Sequence, residues 1–169
     1  DGYDFKKLDN PQMKGLSLFD IKEDNQGNIF CFNLSGQFFT IKEDSCLLFF
    51  EIPDSLMSVE FSYAFDEENN MIVACKSLIK RSPLGNVEEL YGCSFFSNRK
   101  LYKTKKGISI LFQERGMLLT WANQQIQTDS INIQSDINNM PLFYSSDEDE
   151  EFFQRTDGAL LLVNDSLPS

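Results

Sequence analysis

This sequence predicts an all-β fold of antiparallel sheets stacked radially, and three observations carry that expectation. A unit of strand, polar turn, strand, short Gly turn and strand recurs four times, the third strand opening at Gly36, Ser77, Gly107 and Gly158. Those openings recur at roughly 30 to 50 residues, around the spacing of repeats that each supply one small sheet. Turn chemistry agrees: Ser35-Gly36, Lys106-Gly107 and Asp157-Gly158 put glycine where a tight hairpin needs positive φ. Composition agrees too, with 169 residues, 41% apolar and 13% aromatic, and sixteen Phe against one Trp. Phe and Tyr alternate or double within the strands, and no long run places apolar residues at i, i+3, i+4 and i+7. A single meander cannot bury both its apolar faces, whereas stacked copies bury them against one another, so the expectation is a β-propeller of about four four-stranded blades.

The elements follow in order. The first copy runs Leu18–Ile21, the turn Glu23–Gly27, Ile29–Phe32, the turn Leu34–Gly36 and Phe38–Ile41. The later copies run from Phe61–Ala64 to Leu78–Lys80, from Cys93–Phe96 to Ile108–Leu111, and from Leu142–Tyr144 to Leu160–Val163. One further strand fits before each copy, at Tyr3–Lys6, Cys46–Phe50, Asn86–Leu90 and Met117–Trp121, giving blades at 1–42, 46–81, 86–113 and 117–164. Turn tips fall near Asn25, Glu68, Asn98 and Glu148, and Asn70 takes the place of Gly27, because asparagine tolerates the left-handed conformation. The segment Gln124 to Asn139, rich in Asn, Gln, Asp and Ser, reads as an exposed excursion between strands. No window approaches the length of a membrane-spanning helix.

Charge and missing residues narrow the chemistry. A net charge of −11 and a pI near 4.4 repel a phosphate backbone, so nucleic acid is not an expected partner. The basic stretch Arg99, Lys100, Lys103, Lys105 and Lys106 reads as a solvated strand face. The acidic run 147–151 reads as a solvated hairpin tip, since it lacks the alternating Asp/Asn spacing and glycine of a calcium loop. With no histidine the chain has no Ser-His-Asp or Cys-His pair, no His metal ligand and no phosphoacceptor histidine. Cys31, Cys46, Cys75 and Cys93 form no Cys-x-x-Cys pair, which argues against a zinc site; small buried side chains are the default reading, with three disulfide connectivities open in an oxidising compartment. Neither a metal nor another cofactor is expected. Paired carboxylates are the remaining enzymatic possibility, with Asp24, Glu68 and Asp147 on corresponding turns, but a repeated acidic turn residue is first of all a hairpin device.

One resemblance adds to this reading. Asp1-Gly2-Tyr3-Asp4-Phe5-Lys6-Lys7-Leu8, followed by Gly15-Leu16-Ser17-Leu18 through Asp24-Asn25-Gln26-Gly27-Asn28-Ile29-Phe30, resembles the two-component regulator propeller repeat, and Thr104-Lys105-Lys106-Gly107-Ile108 resembles its Thr-x-x-Gly-Leu turn. The match is fullest in the first copy; in the second, Asn70 and Ser77 stand for the turn glycines. The resemblance implies the sensor part of a membrane-anchored histidine kinase, hybrid two-component protein or related transcriptional regulator, on the periplasmic side, tuned to polysaccharide breakdown products. It also implies a piece of a larger propeller, with any membrane association through the parent's anchor and a homodimer or neighbouring sensor domains as partners.

Three functions are therefore carried forward: a non-enzymatic module sensing a small molecule or oligosaccharide, a protein-interaction scaffold, and a carbohydrate-active enzyme. An aromatic-lined pocket with polar loops favours the first, a broad exposed apolar patch the second, and two converging carboxylates the third. Loops on a rigid scaffold are where binding concentrates, which nominates the rim Asp24, Asn25, Glu67, Glu68, Arg81, Asn98, Arg99 and Arg115, on the face shared with the links between blades. Ser35, Lys106 and Asp157 are expected on the opposite face.

Overall fold

The computed structural model describes residues 7–8, 10–43, 45–92, 100–104, 106–112, 117–130, 142–145, 151–154 and 160–162. They form fifteen strands in four separate antiparallel sheets. The first holds β1 (Phe19–Glu23), β2 (Ile29–Phe32), β3 (Gln37–Lys42) and β4 (Ser45–Glu51); the second β5 (Ser62–Phe65), β6 (Met71–Ala74), β7 (Ser77–Arg81) and β8 (Val87–Gly92). The third holds β9 (Leu101–Thr104), β10 (Gly107–Phe112), β11 (Met117–Ala122) and β12 (Gln125–Ser130); the fourth β13 (Leu142–Ser145), β14 (Glu151–Gln154) and β15 (Leu160–Leu162). Within every sheet the strands follow chain order, so each is a meander, and the all-β blade architecture read from the sequence is the observed one.

The boundaries between blades differ from the expected ones. Cys46–Phe50 lies in β4 and closes the first sheet on β3 instead of opening the second, and the strand 86–90 likewise closes the second sheet as β8. Lys42 pairs with Ser45 across a two-residue gap, too short to cross the roughly 10 Å between stacked sheets, whereas residues 52–61, with Pro53 and a 3-10 turn at Asp54–Leu56, make that crossing. In the third sheet Gly107 opens the second strand, not the third. The expected excursion from Gln124 is a correction as well. Gln125–Ser130 pairs along its whole length with β11, from Ala122↔Gln125 to Met117↔Ser130, and its sequence is polar because this outermost strand is largely exposed. The expected strands at 3–6 and 93–96, the 147–150 tip and the Gly158 turn lie outside the described residues.

One hairpin device recurs in the first two sheets. In 24–28, 33–37, 66–70 and 82–86 the first residue's side-chain oxygen accepts the N–H of the fifth, at 2.9, 3.1, 2.8 and 3.1 Å. The fourth residue donates its N–H to the first residue's carbonyl and has positive φ: Gly27 at 82°, Gly36 at 76°, Asn69 at 61° and Gly85 at 94°. This is a tight turn followed by a left-handed residue, with an Asx or Ser side chain standing in for a backbone bond. Asn69, not Asn70, therefore takes the place of Gly27; Asn70 matches Asn28, each donating Nδ2 to the Asp that starts its turn. The sheets share a second irregularity: a bulge between Phe38 and Phe39 in one and between Leu78 and Ile79 in the other, which sharpens the twist of the outermost pair.

Asp24 gives this device a pH dependence. Partial burial pushes its carboxyl up, but hydrogen bonds from the Asn28 side chain and from the N–H groups of Asn28 and Gln26 outweigh burial and hold it below the ordinary 3.8. A carboxylate depressed on folding stabilises above its unfolded value and loses that contribution as pH falls through its folded value. Asp24→Asn keeps one acceptor oxygen and removes the charge. It is expected to flatten the acid limb of the stability profile below about pH 4 while changing neutral-pH stability by about 1 kcal/mol or less. Urea melts from pH 3 to 7 decide this, and parallel acid limbs for both proteins overturn it.

Strand alternation then builds the core. Tyr63, Phe65, Met71, Val73 and Ile79 project from the second sheet onto Phe30, Phe32 and Phe38 of the first, while Ala64, Ile72, Ala74 and Leu78 project from its other face onto Ile108, Ile110, Leu119 and Trp121 of the third. The phenylalanines of the first two sheets find their use here: ring centroids lie 4.7 Å apart for Phe30–Phe65 and Phe32–Phe61, and Phe38 meets Tyr63 edge-on at 5.2 Å and 79°. On the first sheet's other face, Cys31, Phe39 and Cys46 are buried beneath Leu8, Met13 and Leu18. Asn10 Nδ2 fixes that cover by donating to the Cys46 carbonyl at 2.7 Å, and Gln37 Nε2 by donating to the Gln12 carbonyl at 2.8 Å. Cys31, Cys46 and Cys75 are buried, and burial, aided by Cys46, pushes the Cys31 thiol up to about 11. Cys31 and Cys46 pack in this cluster and Cys75 in the seam between the first two sheets; Cys93 lies outside the described residues.

The first strands of neighbouring sheets lie side by side. Lys22 Nζ donates to the Tyr63 carbonyl, and the Leu101 N–H donates to Ser62 Oγ at 2.9 Å, so β1, β5 and β9 are joined in sequence. This is the arrangement of propeller blades about an axis, with the outermost strands β4, β8 and β12 carrying most of the exposed residues.

Candidate functional site

Antiparallel order decides which turns share an end. The turns 24–28, 66–70, 82–86 and 123–124, and Lys106 between β9 and β10, all follow an odd-numbered strand and gather at one end, whereas 33–37 and the link 52–61 leave from the other. Two expectations are corrected by this. The rim does not share its end with the described link between sheets, and Lys106 belongs with Glu67 and Glu68, not opposite them, because Gly107 opens β10.

At this end a cleft of about 390 Å³ opens between the second and third sheets. One wall is the β5–β6 turn, with Glu67 and Glu68; the other is formed by Lys103 and the β9–β10 turn, with Lys106; Gln124 and Gln127 reach in from β11–β12. The floor is aromatic. Phe65 and Trp121 border it, and Trp121 is only 4% exposed, so it offers an edge and not a stacking platform.

The floor and walls are fixed by named contacts. Trp121 Nε1 donates to Asp66 Oδ2 at 3.0 Å, Asn70 Nδ2 donates to the same oxygen at 2.8 Å, and Asp66 Oδ1 accepts the N–H groups of Glu68 and Asn70 at 3.0 and 2.8 Å. Asp66 thus spends its carboxylate on holding the turn and the indole. Lys80 Nζ lies 5.1 Å from the centre of the Trp121 ring, donates to Gln124 Oε1 at 3.3 Å and pairs with Glu88 at 2.8 Å. The β11–β12 turn is tight because Asn123 and Gln124 adopt φ of 50° and 60°, the conformation a two-residue hairpin needs.

Asn25 ties three sheets together. Its N–H donates to Asn69 Oδ1 at 3.0 Å and its Nδ2 to the Asp66 carbonyl at 2.7 Å, while its Oδ1 accepts from Lys103 Nζ at 3.1 Å. Of the residues nominated from sequence, Glu67 and Glu68 line the cleft, Asn25 braces it from behind, and Asp24 is consumed by its own turn. Arg81 stands apart, its guanidinium 3.6 Å from the centre of the Phe49 ring between the first two sheets. Asn98, Arg99 and Arg115 lie outside the described residues. Sequence reasoning missed Trp121, Gln124 and Gln127; the signal that finds them is Asn123-Gln124, a two-residue polar break between two β-runs.

No family model matches the chain, and no curated protein matches it. Among solved structures it is similar to the selenomethionine-substituted virginiamycin B lyase from Staphylococcus aureus, with a TM-score of 0.56 at 10% identity over 96% of this chain. That protein is a β-propeller, and the present chain covers 59% of its length. At this identity the likeness establishes the propeller fold alone.

Proposed function

We propose that this chain is a ligand-binding propeller module without catalysis of its own, serving as the extracytoplasmic sensor of a signal-transduction protein and taking a small saccharide in the cleft between its second and third sheets. The observation that carries the reading is that cleft: polar side chains of opposite charge on three hairpin turns, held on rigid sheets over an aromatic floor. The cleft's carboxylates also speak against hydrolysis, since Asp66 is engaged by its own turn and by Trp121, leaving Glu67 and Glu68 side by side on one wall instead of a pair facing each other across a bond. The sensor assignment is supported by the Asp-x-x-Gly-Asn turn shared with the regulator repeat.

A thermal-shift screen against oligosaccharides from hydrolysed plant and animal polysaccharides tests this. A ligand near 100 times its Kd adds about 2.7 kcal/mol, a rise of roughly 5–10 °C for a chain of this size. The rise is expected to vanish in Glu68→Ala and Gln127→Ala, whose unliganded melting temperatures stay within about 2 °C of the parent. A shift that survives both substitutions, or no shift with any saccharide, overturns the reading.

A further inference from the structure

The two walls of the cleft are electrically unlike: Glu67 and Glu68 stand on one, Lys103 and Lys106 on the other. Lys80, the nearest cation on the second sheet, is neutralised by Glu88. Lys103 is different: among the described residues its ammonium donates to a neutral acceptor, Asn25 Oδ1, and forms no ion pair, although Glu67 and Glu68 border the same cleft. In a chain of net charge −11 an ammonium held apart from nearby carboxylates calls for an explanation.

Asn25 supplies the mechanism that holds it apart. Its backbone N–H and its Nδ2 are engaged by Asn69 and Asp66, so its Oδ1 is a fixed acceptor for the Lys103 ammonium. An ammonium has three donors and Asn25 uses one. The remaining two are left for a ligand, and the bond to Asn25 restricts the side chain in advance, which lowers the ordering cost of binding an anion there. The opposite wall limits what that anion can be. Glu67 and Glu68 accept hydrogen bonds from hydroxyl groups but repel a dianion, so a single negative charge beside several hydroxyls matches the cleft better than a phosphate.

We propose, building on the saccharide reading above, that the cleft selects an acidic saccharide, a uronate whose carboxylate sits on Lys103 and whose hydroxyls face Glu67 and Glu68. Asn25 is then a positioning residue that keeps Lys103 from collapsing onto the glutamates. Trp121, the sole tryptophan, borders the site and reports on it by its fluorescence.

The test titrates the full chain with matched disaccharides, galacturonate and glucuronate types against the galactose and glucose types that differ only in carrying CH2OH for carboxylate. In low salt a uronate is expected to bind at least tenfold more tightly than its neutral partner, the preference falling as salt is raised. Lys103→Met should erase the preference, Lys103→Arg should retain most of it, and Asn25→Ala should reduce it. Equal affinity for a uronate and its neutral partner, or a preference that survives Lys103→Met, overturns the charge assignment while the saccharide cleft stands. Failure of every disaccharide to perturb Trp121 removes both readings.

Discussion

Tyr63→Ala is expected to destabilise the fold by about 3–5 kcal/mol, and Tyr63→Phe by about 1–2 kcal/mol. Tyr63 is fully buried, and its ring meets Phe32, Phe38 and Phe65 edge-on at 6.0, 5.2 and 5.8 Å. Removing it leaves a void in the seam between the first two sheets, where close-packed aromatics cannot collapse inward without tilting a strand. The hydroxyl is a separate contribution. It lies 2.6 Å from the Asp20 carbonyl and 2.9 Å from the Phe30 carbonyl and donates its one hydrogen to that pair of acceptors. Asp20 sits at φ 50° in a bulge of β1, so the phenol of the second blade braces the irregular first strand of the preceding one. Burial, reinforced by Asp20 and Cys31, pushes the phenol pKa well above its usual range, so the hydroxyl remains a donor at any pH the fold survives. Urea denaturation of both variants gives the two numbers; an alanine variant within 1 kcal/mol of the parent removes Tyr63 from its place as the keystone of this seam.

How much of this was legible in the sequence varies by element, for physical reasons. The hairpins at Gly27 and Gly36 were, because their requirements are local: a side-chain acceptor, then a left-handed residue; the same turn at Gly85 reads in sequence as a gap between blades. The two-faced burial of the second sheet was also visible, since Tyr63-Ala64-Phe65 and Met71-Ile72-Val73-Ala74 are apolar on both alternating sets. Sheet membership was not, because a meander reads the same whichever gap is taken as the crossover. Only length separates the two-residue step at 43–44 from the ten residues at 52–61. The same ambiguity slipped the third copy by one strand, sent Lys106 to the wrong end, and hid the cleft, one side of which is lined by Gln124 and by Gln127 on a strand with no apolar pattern. Gln125–Ser130 shows why: an outermost strand with one partly buried residue, Ile126, has almost no periodic signal to give.

Gly107→Ala is expected to cost about 3 kcal/mol or more, against about 1–2 kcal/mol for Gly27→Ala. Both glycines have positive φ, 142° and 82°, so an added methyl strains the backbone at either. Their surroundings differ. At Gly27 a Cβ meets only the Glu23 carboxylate, at 3.5 Å, whereas at Gly107 it lies 2.1 Å from the Trp121 carbonyl oxygen and 3.0 Å from the Ala122 Cβ. That oxygen is main chain in the paired strand β11, directly across from Ile108, so it cannot rotate away as a side chain would. Relief comes only by parting β10 from β11, and the cleft floor moves with it, because Trp121 is the residue that donates to Asp66. The substitution therefore has two readouts: a lowered denaturation midpoint, and a change in Trp121 emission in protein still folded at low temperature. Gly27→Ala should lower the midpoint modestly and leave the emission alone. Equal losses at the two positions would mean that left-handed strain alone sets the cost, and that β10 and β11 are not in the close contact on which the cleft floor depends.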